Sequence, residues 1–222
     1  MMQLRMRMIT PAVSVLLSGV LLTGALITAP LAGAAETGGL RPDAPGPAVN
    51  VAVDIDSPVN FIAAQAATDV EEFWAQRGGF TAPRGYAALP APVTGDVCLS
   101  QLSIARFCSG EIAWDVPDIE HMDAVGGPLA VVTVMAHEMG HQIQAARDLP
   151  ASELGADCLA GVYLTSISDG QSPRFTATPA EVDAAILSTM YTMQPDAIPA
   201  RIAAFQAGHG GSAEACLAAY PD

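Results

Sequence analysis

The chain has 222 residues, 51% of them hydrophobic and 5% aromatic. That is enough for one domain with its own core and leaves little for a second, and alanine and other small aliphatic residues must build much of that core. Every basic residue is an arginine, and the net charge of -14 argues against nucleic acid and anionic membrane surfaces as partners.

The N-terminus reads as an export signal. Arg5 and Arg7 form a positive n-region, an apolar run follows from Met8 to about Ala29, and Ala32-Gly33-Ala34 supplies the small residues of a cleavage site. The expected organisation is a signal peptide over 1–35, a flexible Gly/Pro-rich leader over 36–50 and one domain over 51–222. An uncleaved anchor is the competing reading, because about 20 apolar residues span a bilayer. Thr10, Pro11, Ser14 and Ser18 make a mediocre anchor. With cleavage no membrane span remains, and the chain is secreted or sits in the cell envelope.

A first helix is expected from Pro58, with Asp56 or Ser57 as cap. Val59, Ile62, Ala63, Ala66, Val70, Phe73 and Trp74 recur at helical spacing before Gly78-Gly79 ends it. Residues 80–96, with Pro83, Pro90 and Pro92, read as loop, and the stretch from Cys98 to Cys108 has no clear pattern. Residues 110–116 alternate as a short strand, either a core strand or one that pairs with an extended peptide.

A second helix opens at about Pro128 and runs to about Ala146. It is apolar on nearly all sides over 129–136, so it belongs at the centre of the domain. A third follows Pro150, capped by Ser152 or a neighbour. A fourth starts at Pro179, where Thr178 and Glu181 form a capping box. Two short helices split by Gly210-Gly211 close the chain. The fold class is mainly α with a small β element, that is α+β.

The four cysteines are Cys98, Cys108, Cys158 and Cys216. An even number behind an export signal suggests disulfides, with three connectivities. Cys98 with Cys108 is the local choice and leaves Cys158 for Cys216; four buried thiols are the alternative.

The chemistry is concentrated in "VMAHEMGHQIQ", residues 134–144. On a helix, His137 and His141 lie about 40° apart around the axis and about 6 Å along it. Both rings can therefore meet one ion, with Glu138 beside them: the H-E-x-x-H pattern. Burying two histidines and a glutamate on so apolar a helix is costly unless something pairs with them. A catalytic zinc takes three protein ligands and keeps one position open. "SELGADCLAG" on the next helix offers Glu153 and Asp157, four residues apart, after a connection short enough for an antiparallel helix pair. Glu153 is read as the third ligand. Asp157 is read as the acceptor for the free ring N–H of a ligand histidine, first of all His137. For Glu153 the alternative is a carboxylate favoured by the helix dipole.

These two motifs resemble the neutral zinc metallopeptidase family, whose members carry an AHExGHxxQ helix followed by an ELxADCxAG helix. The likeness extends to "CLSQLSIARFCSGEIAWD" and "ARIAAFQAGHGGSAEAC" and covers roughly 58–222. It implies a gluzincin-like peptidase: a zincin-like single domain with a buried HExxH helix packed on a second ligand-bearing helix. It further implies one catalytic Zn2+ on His137, His141 and Glu153, with Glu138 as general base for a zinc-activated water. The substrate would be a peptide or protein.

The family's loop before the last helices usually has a His-Gly and a Gln-Arg pair; "QPDAIPAR" keeps only Arg201. An oxyanion stabiliser would come from His121, Tyr163, Arg201 or His209, each of which has an ordinary surface or packing role as its alternative. Two other functions stand beside the peptidase: a zinc-stabilised extracytoplasmic binding protein without catalysis, and a zinc hydrolase of a non-peptide amide. Two histidines and a carboxylate also suit iron or other divalent ions.

Overall fold

The computed structural model describes residues 38–49, 51–52, 57–78, 80–90, 98, 104–193 and 197–221. The expected signal peptide and its cleavage site, Asp56 and Gly79 lie outside the described residues. The described chain is mainly helical with a small sheet, in the order β1 (Gly39–Leu40), α1 (Pro58–Ala75), β2 (Gly85–Leu89), β3 (Ala105–Cys108), β4 (Glu111–Asp115), α2 (Val116–Gly126), α3 (Pro128–Ala146), α4 (Glu153–Ser168), β5 (Phe175–Thr176), α5 (Pro179–Met193), α6 (Ile198–Gly208) and α7 (Ala213–Ala219).

Helix α3 is the hub. Every residue from Leu129 to Gly140 is buried, and the helix packs on α1, α2, α4, α5 and β3. Such a helix cannot keep a polar face to solvent, so its polar side chains must find partners inside. Small residues let its neighbours come close. A Cβ on Gly140 would lie 2.7 Å from Ala156 Cα, so glycine is what allows α3 and α4 to touch backbone to backbone. Gly161 and Gly208 do the same between α4 and α6, each facing a main-chain carbonyl of the other helix.

The three-stranded sheet has the order β2-β4-β3, with β2 parallel and β3 antiparallel to β4. The strand expected at 110–116 is therefore the central one, hydrogen-bonded on both sides. It cannot receive an extended peptide, and among the described residues β3 is an edge strand instead. Strand β2 falls in the stretch read as loop. Its prolines flank the strand and do not interrupt it, and Tyr86 and Ala88 face the core.

Helix α2 was not expected. Asp115 caps it, accepting the Asp118 N–H at 3.0 Å, and Ile119 and Met122 are its buried residues. The capping box is present at α5: Glu181 Oε2 accepts the Thr178 N–H at 2.7 Å.

Residues 38–49, read as a flexible leader, are bound along the domain. β1 pairs with β5, Gln65 Nε2 donates to Pro45 O at 2.8 Å, and the Ala48 N–H donates to Thr68 Oγ1 at 3.0 Å. Beyond β1, the Gly- and Pro-rich stretch has no regular structure of its own, yet its backbone groups find partners on α1.

Cys98 is joined to Cys108 and Cys158 to Cys216. Two disulfides suggest an extracytoplasmic location. Among the described residues no helix is long and apolar enough to cross a membrane.

Candidate metal centre

The close contact of α3 with α4 decides the site. Ser152 caps α4, accepting the Gly155 N–H at 3.2 Å, so Glu153 occupies the first helical position. That position faces the stretch of α3 that carries the histidines. Glu153 Oε2 lies 3.2 Å from His137 Nε2, and Glu153 Oε1 lies 3.5 Å from His141 Nε2. The two rings meet edge to face with centroids 4.7 Å apart. One donor atom from each of the three residues falls within 4.8 Å of the others, a group that can hold a metal ion.

The spacing brings donor atoms of all three residues within reach of one ion. The charges suit a dication. Glu138, Glu153 and Asp157 against Arg201 leave two formal negative charges around neutral imidazoles, in a site where His137, Glu138, Asp157 and Arg201 are all nearly fully buried. Glu153 is 55% exposed, so the site meets solvent on its side. These residues fit a divalent metal, and nothing in the donor set singles out zinc.

The other ring nitrogens are already engaged. His137 Nδ1 lies 2.8 Å from Asp157 Oδ1. His141 Nδ1 lies 3.0 Å from Gln144 Oε1. With each Nδ1 engaged in this way, each Nε2 is the nitrogen turned to the common centre, where it would give up any proton to bind an ion. Gln144 does more. Its Nε2 donates to Ser152 O at 2.9 Å, and its Oε1 also accepts the Ser152 N–H at 3.2 Å. One amide therefore sets the His141 ring and the start of the helix that bears Glu153.

Electrostatics follow the geometry. Burial pulls the His137 imidazole down, but Asp157, with Glu153 and Glu138, pulls harder and raises it to about 10 in the metal-free chain. Hydrogen bonds from His137 and His141 hold the Glu153 carboxyl well below the usual range. These shifts favour a protonated His137 beside an ionised Glu153, and a cation bound between them would compete with that proton.

Glu138 is 4% exposed, and its Oε2 accepts the Phe107 N–H of β3 at 2.7 Å. It therefore lies between the histidine helix and the sheet edge.

The expected oxyanion candidates fare differently. Tyr163 is fully buried, and its hydroxyl donates to Asp69 Oδ2 at 2.6 Å. It has the packing role that stood as its alternative. His121 and His209 are exposed. Arg201 is 1% exposed and donates to both oxygens of Asp157, at 2.6 Å each. Its guanidinium is engaged with Asp157 inside the domain.

Sequence reasoning did not anticipate this Arg201–Asp157 pair or the role of Gln144. Gln144 sits three residues after His141, a spacing that puts both on one helix face, so its role was legible; the Arg201 contact spans 44 residues and was not. No protein-family model, curated protein or solved structure matches the chain.

Proposed function

We propose that the protein is an exported zinc metallopeptidase of the zincin type, related to the neutral zinc metallopeptidase family. The observation that carries this reading is that one donor atom from each of His137, His141 and Glu153 lies within 4.8 Å of the others, with both Nε2 atoms against the Glu153 carboxylate and Glu138 beside them on the same helix. A bound zinc supplies Lewis acidity, making water acidic near neutrality and drawing charge from a carbonyl oxygen.

The chain's own groups do the rest. His137 and His141 are held by their Nδ1 atoms so that their Nε2 atoms bind. Glu153 completes the set from the exposed side and leaves access for water and substrate. Glu138 takes one proton from the attacking water at a carboxylate oxygen. The water oxygen forms its bond to the carbonyl carbon, the C–N bond breaks, and the proton passes to the departing amine nitrogen.

Peptide is favoured over a small amide by the sheet. β3 is an edge strand, and its Phe107 N–H is bonded directly to Glu138. An extended peptide laid along such an edge gains main-chain hydrogen bonds next to the base.

The test is hydrolysis of an unfolded protein and a mixed peptide library by the zinc-loaded chain. Wild type is expected to cleave. Glu138→Gln is expected to keep its zinc and lose activity by about 10²–10⁴-fold. Full activity in Glu138→Gln would refute the assignment of the base. Zinc binding without cleavage of any peptide would leave the binding-protein reading in its place.

A further inference from the structure

We infer that Arg201 is a positioning residue for the metal centre: through Asp157 it fixes the His137 ring and so sets the metal affinity. The inference rests on the metal reading of the His137–His141–Glu153 group.

Three hydrogen bonds meet at Asp157. Arg201 Nε donates to Oδ2 at 2.6 Å, Arg201 Nη2 donates to Oδ1 at 2.6 Å, and His137 Nδ1 donates to Oδ1 at 2.8 Å. Asp157 is fully buried and Arg201 is 1% exposed. The two-toothed grip leaves the carboxylate one orientation. An ionised carboxylate only accepts, so the shorter 2.8 Å contact favours hydrogen on Nδ1 over the form in which Nδ1 accepts from Arg201 Nη2 at 3.2 Å, and turns Nε2 toward Glu153. Arg201 Nη2 also lies 3.7 Å from Glu153 Oε2, which places one guanidinium beside two of the three metal-binding residues.

The fold delivers Arg201 there by rigid means. α6 lies on α4 through Gly161 and Gly208, with no room for a side chain between them. The Cys158–Cys216 bond begins at the residue after Asp157 and ties α7, which follows α6, to α4. Stability alone is a weak reason for such a pair. A buried ion pair is often matched or bettered by apolar residues of the same volume, and Arg201 Nη1 has no hydrogen-bond partner among the described residues. Orientation of the ring is what an apolar pair would not supply.

The experiment compares wild type, Arg201→Lys and Arg201→Met as full chains, with zinc alone as ligand. Zinc affinity is read by competition with a chromophoric chelator. The His137 Nδ1–H proton resonance is read by NMR with and without zinc. Arg201→Met is expected to bind zinc about 10–100-fold more weakly, in the range found for partners that orient metal ligands, and to lose the slowly exchanging Nδ1–H signal. Arg201→Lys keeps a charge but loses the fork and is expected to fall between the two.

A merely structural role would lower the unfolding temperature while leaving zinc affinity within twofold and the Nδ1–H signal intact; that result in either folded variant overturns the inference. If Arg201→Met does not fold, Arg201→Lys decides on the same two readouts. Failure of wild type to bind zinc sinks the metal reading instead, and the Nδ1–H signal of the metal-free chains then decides whether Arg201 holds the ring.

Discussion

Gly140→Ala tests whether the site depends on the backbone contact between α3 and α4. An added Cβ would lie 2.7 Å from Ala156 Cα, 2.8 Å from its carbonyl oxygen and 3.0 Å from its Cβ. Carbon atoms prefer about 3.5–4.0 Å, so α4 must move away by roughly 0.7–1 Å at this point. No flexible side chain absorbs the shift, because the nearest atoms are main chain. Glu153 and Asp157 flank Ala156 on the same helix and move with it. Metal sites tolerate about 0.2 Å in their donor distances.

Alanine improves helix propensity by about 1 kcal/mol over glycine, whereas overpacking costs about 1–3 kcal/mol. The expected net is a loss of about 1 kcal/mol, or about 2–4 °C in unfolding temperature for a domain of this size. Zinc affinity is expected to fall by about tenfold or more. Thermal unfolding of the metal-free chain and chelator competition measure the two effects. A Gly140→Ala protein with a raised unfolding temperature and unchanged zinc affinity would refute the reasoning.

Zinc binding should release a proton. His137, raised to about 10 in the metal-free chain, is protonated when folded at neutral pH, and a metal needs the neutral ring. Because this pKa is raised, its contribution to metal-free stability is full below about pH 6.5 and is lost as pH rises through about 10. Calorimetric zinc titrations near pH 7.5 in two buffers of different ionisation enthalpy are expected to show close to one proton released per zinc; none would mean the ring starts neutral.

Gln144→Leu removes the acceptor of His141 Nδ1 and the two hydrogen bonds between the Gln144 amide and the Ser152 backbone, so it should weaken zinc binding about tenfold; an unchanged affinity would show that Gln144 does not hold the ring. The two disulfides close loops with separations of 58 and 10 residues, worth about 4 and about 3 kcal/mol in the chain-entropy model. Urea unfolding should show Cys158→Ala/Cys216→Ala as the larger loss, with weakened zinc binding as well because Asp157 adjoins the bond. The opposite order would contradict this.

The parts of the fold that were legible in the sequence are the ones set by local rules. Helical spacing and caps placed α1, α3, α4 and α5 to within a few residues, because each buries a long apolar face and starts at Pro or at a capping Ser or Thr. Helix α2 escaped because only Ile119 and Met122 are buried along it, which is too short a period to stand out. β2 escaped because its partner β4 lies more than twenty residues away and its own pattern, Tyr86 and Ala88, is two residues long.

The site followed the same division. The spacing of His137 with His141, and of Glu153 with Asp157, is a helix property, and one short connection brings the two pairs together. Arg201 reaches Asp157 only because α6 folds back on α4, which no local pattern announces. Tyr163 looked available as a polar aromatic but spends its hydroxyl on Asp69 inside the core.

The central claim is that two imidazoles and one carboxylate share a single divalent ion. The most direct measurement is the metal content of the chain after zinc loading and dialysis, for wild type, His137→Ala and Glu153→Ala. The account expects one tightly held zinc per wild-type chain and loss of it in both variants, with all three folded by circular dichroism. A full equivalent retained by Glu153→Ala at wild-type affinity would contradict it.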